Sequence, residues 1–264
     1  MSLQMFENFV PTLISLGENE LRNPNAISSL QMFREQIGGR ELSMIYAPFD
    51  HVNLDARVVI VGMTPGRSQA ENALVAAHDA LRSGSSTSES ARIAKIHASF
   101  SGEPMRGNLI AMLDAIGVDR WLGISSTASL WGDKAHLVHF TSALRYPVFV
   151  DGKNWSGTPD IVRTPVLRTT LEDYTGKELA QLDKALIVPL GPKVSAAMAH
   201  LAANGSISAN RVLAGLPHPS GANAERITYF LGKKTASQCS SKTNPAAIDA
   251  AKAELIKRVQ LLKS

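Results

Sequence analysis

The pattern of apolar and polar positions alternates between short apolar runs of strand length and longer stretches with helical periodicity. Strands are predicted over the apolar runs 57–61, 135–143, 185–190 and 211–216. Helices are predicted over 5–16, 27–37, 69–81, 108–116, 193–203, 222–231 and 245–262. Strands that alternate with helices are typical of a parallel sheet covered by helices on both faces. The pattern therefore predicts an α/β fold, a three-layer α/β/α sandwich around a central, mostly parallel four-stranded sheet. We expect a single domain over 1–264, with residues 1–55 as a helical region packed on it.

The stretches between these elements are polar, and two of them directly follow predicted strands. GMTPG at 62–66 follows the first strand, and Ser68 with Glu71 is predicted to form a capping box at the start of the next helix. HPSG at 218–221 follows the last strand. Because the carboxyl ends of parallel strands lie on one side of a sheet, we expect the two loops to face each other across one crevice. Two other polar stretches, 83–90 and 144–160, are predicted to be surface loops.

The HPSG loop offers two candidate groups, each with a plain structural alternative. His218 stands between two prolines, which fix its backbone, and it can act as an acid, a base or a stabiliser of an anion. It can equally cap a turn. Ser220 can bind a phosphate or cap the helix that follows, and these two roles are compatible. GMTPG, likewise, can be a strand-to-helix turn that uses Gly and Pro for geometry alone.

The composition of the chain excludes several classes of protein and of metal site. The single cysteine, Cys239, excludes an intramolecular disulfide framework and a four-cysteine zinc or iron–sulfur site. No apolar run approaches the length of a membrane span, and the first residues lack the layout of a signal peptide, so we expect a cytoplasmic protein with no membrane partner. A net charge of +4 is compatible with a polyanionic partner but too modest to demonstrate one.

The GMTPG loop, a polar end of the second predicted strand and the HPSG loop resemble, in this order, the motifs of the uracil-DNA glycosylase superfamily. The resemblance covers about 57–232, and GKNWSGTP at 152–159 looks most like the single-strand-selective monofunctional branch. It implies a hydrolase that flips a nucleotide and cleaves the bond between its base and deoxyribose, in base-excision DNA repair. It also implies a monomer that contacts the flipped nucleotide and the phosphate backbone of DNA, with no metal and no cofactor.

The resemblance also implies roles for individual residues. Thr64 matches the water-positioning site, and His218 matches the stabiliser of the departing base. Glu71 has no counterpart in the resemblance and is a further catalytic candidate as a polar residue a few positions after Thr64. The implied substrate-binding residues are Gly62, Met63, Pro65, Gly66, Asn72, Ser142 and Asn154. The DNA-binding residues that the resemblance implies are Ser220, Gly221, Asn223 and Arg226. Charge and loop placement add Arg145, Lys153, Trp155, Lys233 and Lys234, although the Lys233–Lys234 run can also be a solvated face. Trp155 is expected to stack on a base from an open loop.

Three positions depart from the family pattern. Thr64 stands where the family usually has Asn, Asp or Glu, FTSA at 140–143 lacks the amide that reads uracil, and Gly221 replaces a residue that is usually proline. A site without that amide loses discrimination, and small residues leave room at the 5 position of a pyrimidine. We therefore expect a modified pyrimidine, such as the hydroxymethylated or glucosylated cytosine of phage DNA, and a role in anti-phage defence. The alternatives are ordinary uracil removal, with Asn72 or Asn154 restoring the amide, and a catalytically weak binder of modified DNA.

Overall fold

A computed structural model describes residues 3–99 and 104–262 of the chain, which is a mixed α/β protein. The helices are α1 Gln4–Ser15, α2 Glu18–Leu21, α3 Arg67–Arg82, α4 Thr87–Ala98, α5 Met105–Ala115, α6 Val118–Leu122, α7 Pro165–Thr170, α8 Lys177–Ala180, α9 Pro192–Ala203, α10 Ala224–Phe230 and α11 Pro245–Gln260. The strands are β1 Gln31–Ile37, β2 Arg40–Ile45, β3 Val58–Gly62, β4 Val138–Ser142, β5 Val148–Val150, β6 Lys153–Asn154 and β7 Leu186–Pro189. A π-helical segment, Leu171–Gly176, joins α7 to α8.

The chain divides into two compact units, and each unit is assembled from three separate segments. The first unit comprises Met1–Val52, Gly62–Ser99 and Thr141–Gln181. The second unit comprises Asn53–Val61, Phe100–Phe140 and Leu182–Ser264. Residues that are distant in sequence therefore build each unit together.

The first predicted strand is confirmed as β3, which belongs to a three-stranded sheet of order β4–β3–β7. β3 and β7 are parallel, and every residue of β3 is buried, which explains its continuous apolar run. The predicted strand 211–216 is wrong, because Val212 makes only an isolated parallel bridge to Ile187. The Val212 carbonyl accepts a hydrogen bond from Arg258 Nη1 (2.8 Å), and Gly215 has a φ of +131°, which ends the extended backbone. A central four-stranded parallel sheet is not observed among the described residues.

The core of the second unit lies where β3 and β7 meet α5, α6, α10 and α11. The side chains of Val58, Ile60 and Val188 are completely buried in it. Pro192 begins α9 at its first position, as predicted, with two residues between it and the end of β7. These contacts fix the carboxyl end of β7, where the next polar loop packs.

The first unit contains an antiparallel sheet of order β1–β2–β5–β6. The predicted helix 27–37 is wrong, because its second half is β1 and pairs with β2 in a hairpin. Gly38 and Gly39, with φ of +59° and +78°, form the tight turn of that hairpin rather than the end of a helix. The stretch 144–160, predicted as a loop, contains β5 and β6. The prediction that residues 1–55 are helical holds only for the region before β1.

The helices of the first unit pack on one another, with α1 against α3 and α4. The predicted loop 83–90 is wrong for its second half, because α4 begins inside it and Ser86 Oγ accepts the backbone N–H of Glu89 at 3.2 Å. The predicted Ser68–Glu71 capping box is also wrong. α3 begins at Arg67, and the N–H of Gly66 donates to Gln69 Oε1 at 3.1 Å instead.

The remaining predicted helices over 5–16, 69–81, 108–116, 193–203, 222–231 and 245–262 are confirmed as α1, α3, α5, α9, α10 and α11. None of the helices among the described residues is long and apolar enough to cross a membrane.

Candidate functional site

His218 lies half-buried in the HPSG loop of the second unit. Its Nδ1 accepts a hydrogen bond from the backbone N–H of Ser220 at 3.2 Å. Because Nδ1 accepts, the neutral ring carries its proton on Nε2. Burial lowers the pKa of His218 below its ordinary value of 6.5, so the neutral form is favoured at neutral pH. The loop therefore holds a neutral imidazole in one tautomer, with Nε2–H as the donor.

Two residues outside the predicted site fix this loop. Gly191, in the turn between β7 and α9, has a φ of +90°, and a Cβ on it would lie 3.2 Å from His218 Cβ. Glycine allows both this backbone conformation and this close approach. Asn108 on α5 donates from Nδ2 to the Pro219 carbonyl at 2.9 Å. The sequence signal for Gly191 is a glycine between a buried strand and a helix-opening proline, whereas nothing in the pattern singles out Asn108.

A chain of hydrogen bonds continues from the HPSG loop into α10. Ser220 Oγ accepts from Asn223 Nδ2 at 3.2 Å, and Asn223 Oδ1 accepts from Arg226 Nη1 at 2.8 Å. Arg226 Nη2 donates to the Lys242 carbonyl at 2.9 Å. The Ser220 hydroxyl does not cap the short 3-10 turn that follows, Gly221–Asn223, and its own proton can reach a phosphate oxygen. Four of the predicted DNA-binding residues, including the exposed Gly221, thus lie together.

The two predicted lysines at the end of α10 differ in their surroundings. Lys233 is exposed, whereas Lys234 Nζ pairs with Glu225 Oε1 at 2.6 Å. Glu225 also accepts hydrogen bonds from Ser240 and from the Thr243 hydroxyl, and these donors together hold the pKa of its carboxyl well below its usual range. Lys234 is therefore a partner of Glu225, and the prediction that it binds phosphate is not supported because its charge is already neutralised.

Thr64 lies half-buried in the GMTPG loop of the first unit. Its hydroxyl donates to the Tyr146 carbonyl at 3.0 Å and accepts from the backbone N–H of Val148 at 3.2 Å. The backbone of the loop is also paired, since the carbonyls of Gly62 and Met63 accept the N–H groups of residues 143 and 144. Thr64 Oγ1 keeps one lone pair, so it can orient a water molecule by accepting from it but cannot take up a proton.

Asn154 lies against the same loop. Its Oδ1 accepts the first-turn N–H of Arg67 at 3.0 Å and so caps α3. Its Nδ2 lies 3.3 Å from the position that a Cβ on Gly66 would occupy. Arg67 in turn donates from Nη2 to the Gly152 carbonyl at 2.8 Å. The structure thus brings three predicted site residues together in the first unit, namely Thr64, Gly66 and Asn154.

Other predicted residues of the first unit lie around this loop in different states of exposure. Glu71 is half-buried on α3, and Asn72 beside it is exposed. Pro65 is buried in the loop, and Met63 is half-buried. Ser142 at the end of β4 is buried. Lys153 on β6 is exposed and remains a candidate for phosphate contact.

Two predicted DNA-binding residues are wrong because their side chains are buried. Arg145 is 6% exposed, and its guanidinium donates to Glu178 Oε2 at 2.7 Å and to the Tyr174 carbonyl at 2.9 Å. Trp155 is 4% exposed, and its Nε1–H donates to the Pro159 carbonyl at 3.1 Å. Neither group can reach a phosphate or a base without disrupting the first unit.

Within the described residues, no group of three or more His, Cys, Asp or Glu side chains is arranged to hold a metal ion. No family model matches the chain, and no solved structure matches it. A search of curated proteins finds a relative in Bacillus subtilis (strain 168), the uncharacterized protein YoxB, which is 38% identical over 212 residues. The match covers 79% of this chain and 82% of YoxB. With this identity over most of both chains, the chain belongs to the family of Bacillus subtilis YoxB.

Proposed function

We propose that the chain is a monofunctional DNA glycosylase, a hydrolase that acts as a monomer and removes a modified pyrimidine from a nucleotide flipped out of DNA. The observation that carries the proposal is the state of His218, a neutral imidazole whose Nδ1 is held by Ser220 and whose Nε2–H can donate. A pyrimidine leaves as an anion when its bond to the sugar breaks. A preorganised donor aimed at such developing charge is worth about 10²–10³ in rate.

In the proposed reaction, the bond between the base nitrogen and C1′ of deoxyribose breaks, and its electron pair leaves with the base. Water forms the new bond to C1′ and loses a proton, so the products are the base and an abasic sugar. We assign the orientation of this water to the remaining lone pair of Thr64. Because that hydroxyl cannot take up the proton, the proposed acceptor is the carboxylate of Glu71.

The proposed substrate is a pyrimidine enlarged at its 5 position, such as hydroxymethylated or glucosylated cytosine in phage DNA, which makes the protein a defence enzyme. Small residues at three positions of the resemblance, Thr64, Ser142 and Gly221, support this choice. Gly221 is exposed, and among the described residues the nearest atom to a Cβ on it would be Pro104 Cγ, at 3.8 Å. Because Gly221 has no side chain, this position leaves room for a bulky substituent on the base. It is less suited to filling the gap that a flipped nucleotide leaves in the DNA.

The proposal includes the finer fold prediction, a three-layer α/β/α sandwich around one central parallel sheet. It is supported by the strand order β4–β3–β7 and by the bridge from Ile187 to Val212, which adds a fourth segment in parallel beside β7.

Ordinary uracil removal is the second candidate function, and Asn154 favours it. With Oδ1 engaged by Arg67, the Nδ2 group lies beside Gly66 and can donate to a pyrimidine carbonyl. This amide would restore the contact with the base edge that FTSA at 140–143 does not provide.

The proposal is tested by incubating the protein with single-stranded and duplex oligonucleotides that carry uracil, 5-hydroxymethylcytosine or glucosylated 5-hydroxymethylcytosine. Mass spectrometry identifies the released base, and alkaline cleavage counts the abasic sites. Release of a 5-substituted cytosine supports the main proposal, and efficient release of uracil alone supports the second candidate. Tight binding of modified DNA without base release would instead identify a catalytically weak binder and contradict the proposed hydrolysis.

A further inference from the structure

A cluster of buried charged and aromatic side chains in the first unit takes no part in the proposed bond cleavage. We call it the Asp50–Glu178 cluster, and its members are Tyr46, Asp50, Lys95, Arg145, Tyr146 and Glu178. Asp50 accepts hydrogen bonds from the hydroxyls of Tyr46 (2.9 Å) and Tyr146 (2.6 Å). Glu178 accepts from Arg145 Nε (2.7 Å) and from Lys95 Nζ (2.9 Å).

Both carboxylates are completely buried. The free-energy cost of removing a charge from water offsets most of the attraction to its partners. A buried ion pair is therefore weak evidence for stability. Such groups fix geometry instead when every member is paired, because any displacement leaves a buried charge without a partner.

The segment 142–148 lies between the Asp50–Glu178 cluster and the GMTPG loop. On one side, Ala143 and Leu144 donate their N–H groups to the carbonyls of Gly62 (2.8 Å) and Met63 (2.9 Å). The Thr64 hydroxyl then bonds both the carbonyl of residue 146 and the N–H of residue 148. The position of the Thr64 oxygen therefore follows the backbone of 142–148.

On its other side, the segment is held by side chains. Tyr146 reaches Asp50, and Arg145 reaches Glu178. Thr175, in the π-helical segment, donates its hydroxyl to the carbonyls of Ser142 and Ala143, each at 3.0 Å. π-Helical turns inside helices are rare and are frequent at functional sites.

We propose that Asp50, Thr175 and Glu178 are positioning residues that hold the segment 142–148 so that its backbone fixes the Thr64 hydroxyl. The inference rests on the role given to Thr64 in the proposed function. It assigns the buried carboxylates to the geometry of the GMTPG loop and not to proton transfer.

Two conservative variants test the inference, each with a matched control. Tyr146→Phe removes the hydroxyl that binds Asp50, and its control Tyr229→Phe removes a hydroxyl that binds Asp249 at 2.7 Å in the second unit. Thr175→Val removes both bonds to the segment, and its control Thr170→Val removes a buried hydroxyl that bonds only within α7.

The first measurement is amide hydrogen exchange, which requires no substrate. We expect Tyr146→Phe and Thr175→Val to speed exchange of peptides covering 62–66 and 143–148 by about tenfold, because local opening becomes easier. Peptides covering 217–223 should not change, and the two controls should leave 62–66 at the wild-type rate. Equal exchange at 62–66 in variants and controls overturns the inference.

The second measurement is coupling to Thr64 in single-turnover base release. Displacement of a positioned group by 1 Å can cost about 10² in rate, so we expect Tyr146→Phe to slow release by about tenfold with unchanged DNA affinity. In a Thr64→Val background the same change should cost less than about twofold, because the group that it positions is gone.

If the rate loss of the double variant equals the product of the losses of Tyr146→Phe and Thr64→Val, the inference is overturned. That result would show that Tyr146 acts independently of Thr64. If no oligonucleotide loses a base while 62–66 shows the expected exchange, the proposed glycosylase function fails and the positioning of the loop stands. If base release occurs and the exchange at 62–66 does not change, the function stands and the inference fails.

Discussion

The tautomer of His218 is determined by the backbone N–H of Ser220, two residues further along the chain. The Ser220 N–H points at Nδ1, which selects the tautomer, and partial burial keeps the ring neutral. Protonation of Nδ1 would turn it into a donor that faces the N–H donor of Ser220. The hydrogen bond between them would then be lost, because neither group could accept. A single loop thus determines both the charge of the ring and the direction of its remaining N–H.

Replacing this ring tests its role directly. We expect His218→Ala to lower the single-turnover rate of base release by about 10²–10³, the usual cost of losing one preorganised stabiliser of an anion. His97→Ala is the control, since His97 is an exposed histidine on α4 in the first unit. An unchanged rate at saturating enzyme would remove His218 from the mechanism.

The lowered pKa of His218 also predicts how the free energy of unfolding changes with pH. Below its ordinary pKa of 6.5, the unfolded chain binds a proton at this position that the folded chain does not yet bind. The folded state should therefore lose stability as the pH falls from 6.5 toward the lowered pKa. Urea unfolding at pH 7 and pH 5 should show a smaller loss in His218→Ala than in the wild type, and equal losses would contradict the assignment.

Single residues also show where sequence reasoning stops. His218 and Ser220 could be chosen because prolines and a preceding strand end mark them. Arg145 and Lys234 could not be excluded, because their partners Glu178 and Glu225 are not sequence neighbours with a recognisable spacing. The sequence alone does not distinguish a basic side chain that is solvated from one that is paired with a carboxylate in the interior.

At the scale of elements, the turn between β7 and α9 decides how closely the HPSG loop can approach. Gly191 adopts φ +90° and ψ 169°, a combination found almost only in glycine. Its missing side chain leaves the space that His218 Cβ occupies. The turn is therefore a component of the site, although it carries no polar side chain.

Gly191→Ala should therefore impair activity, and Gly205→Ala is a matched control. Both glycines have positive φ, so each substitution strains the backbone and should cost about 1–3 kcal/mol of stability. The Cβ at 191 would meet His218, whereas no atom of the part of the chain that the structure describes lies within 4 Å of a Cβ at 205. Base release should fall in Gly191→Ala beyond the effect of Gly205→Ala; equal rates in the two variants would show that the approach of Gly191 to His218 is immaterial.

Elements with strong periodicity could be predicted, whereas elements made by pairing could not. The buried run of β3 and the amphipathic α11 follow from local pattern. β1 is mistaken for helix because its residues are half-buried or exposed and show no clean alternation, and its pairing with β2 depends on the Gly38–Gly39 turn. A polar stretch such as 83–90 likewise hides the start of α4, because capping residues and loop residues are the same types.

At the scale of the whole molecule, the α/β class could be predicted from the alternation of patterns, but the division into two interleaved units could not. Units built from three segments each leave no shift of composition along the chain. The antiparallel sheet of the first unit could not be predicted either. Continuous apolar runs indicate parallel strands that are buried on both faces, and they do not reveal strands with an exposed face.

The charges that remain exposed determine how DNA binding should respond to salt. We expect Lys233→Ala to reduce the slope of log affinity against log salt by about 0.9, the value for one phosphate contact on duplex DNA. The control is Lys184→Ala, an exposed lysine at the amino end of β7. An unchanged slope in Lys233→Ala would place the DNA contact elsewhere, and no DNA binding at low salt would favour a small-molecule substrate.

The interleaving of segments has a consequence for synthesis on the ribosome. The first unit is complete once Gln181 has emerged. By then β3 can pair with β4 along one edge, whereas its other edge must wait for β7. At about 5–20 residues per second, the edge of Val58–Val61 that pairs with β7 waits about 6–25 s for its partner. This edge is apolar and β-branched, so the nascent chain should need a holding chaperone during that interval, and slow codons placed between 62 and 185 should increase aggregation.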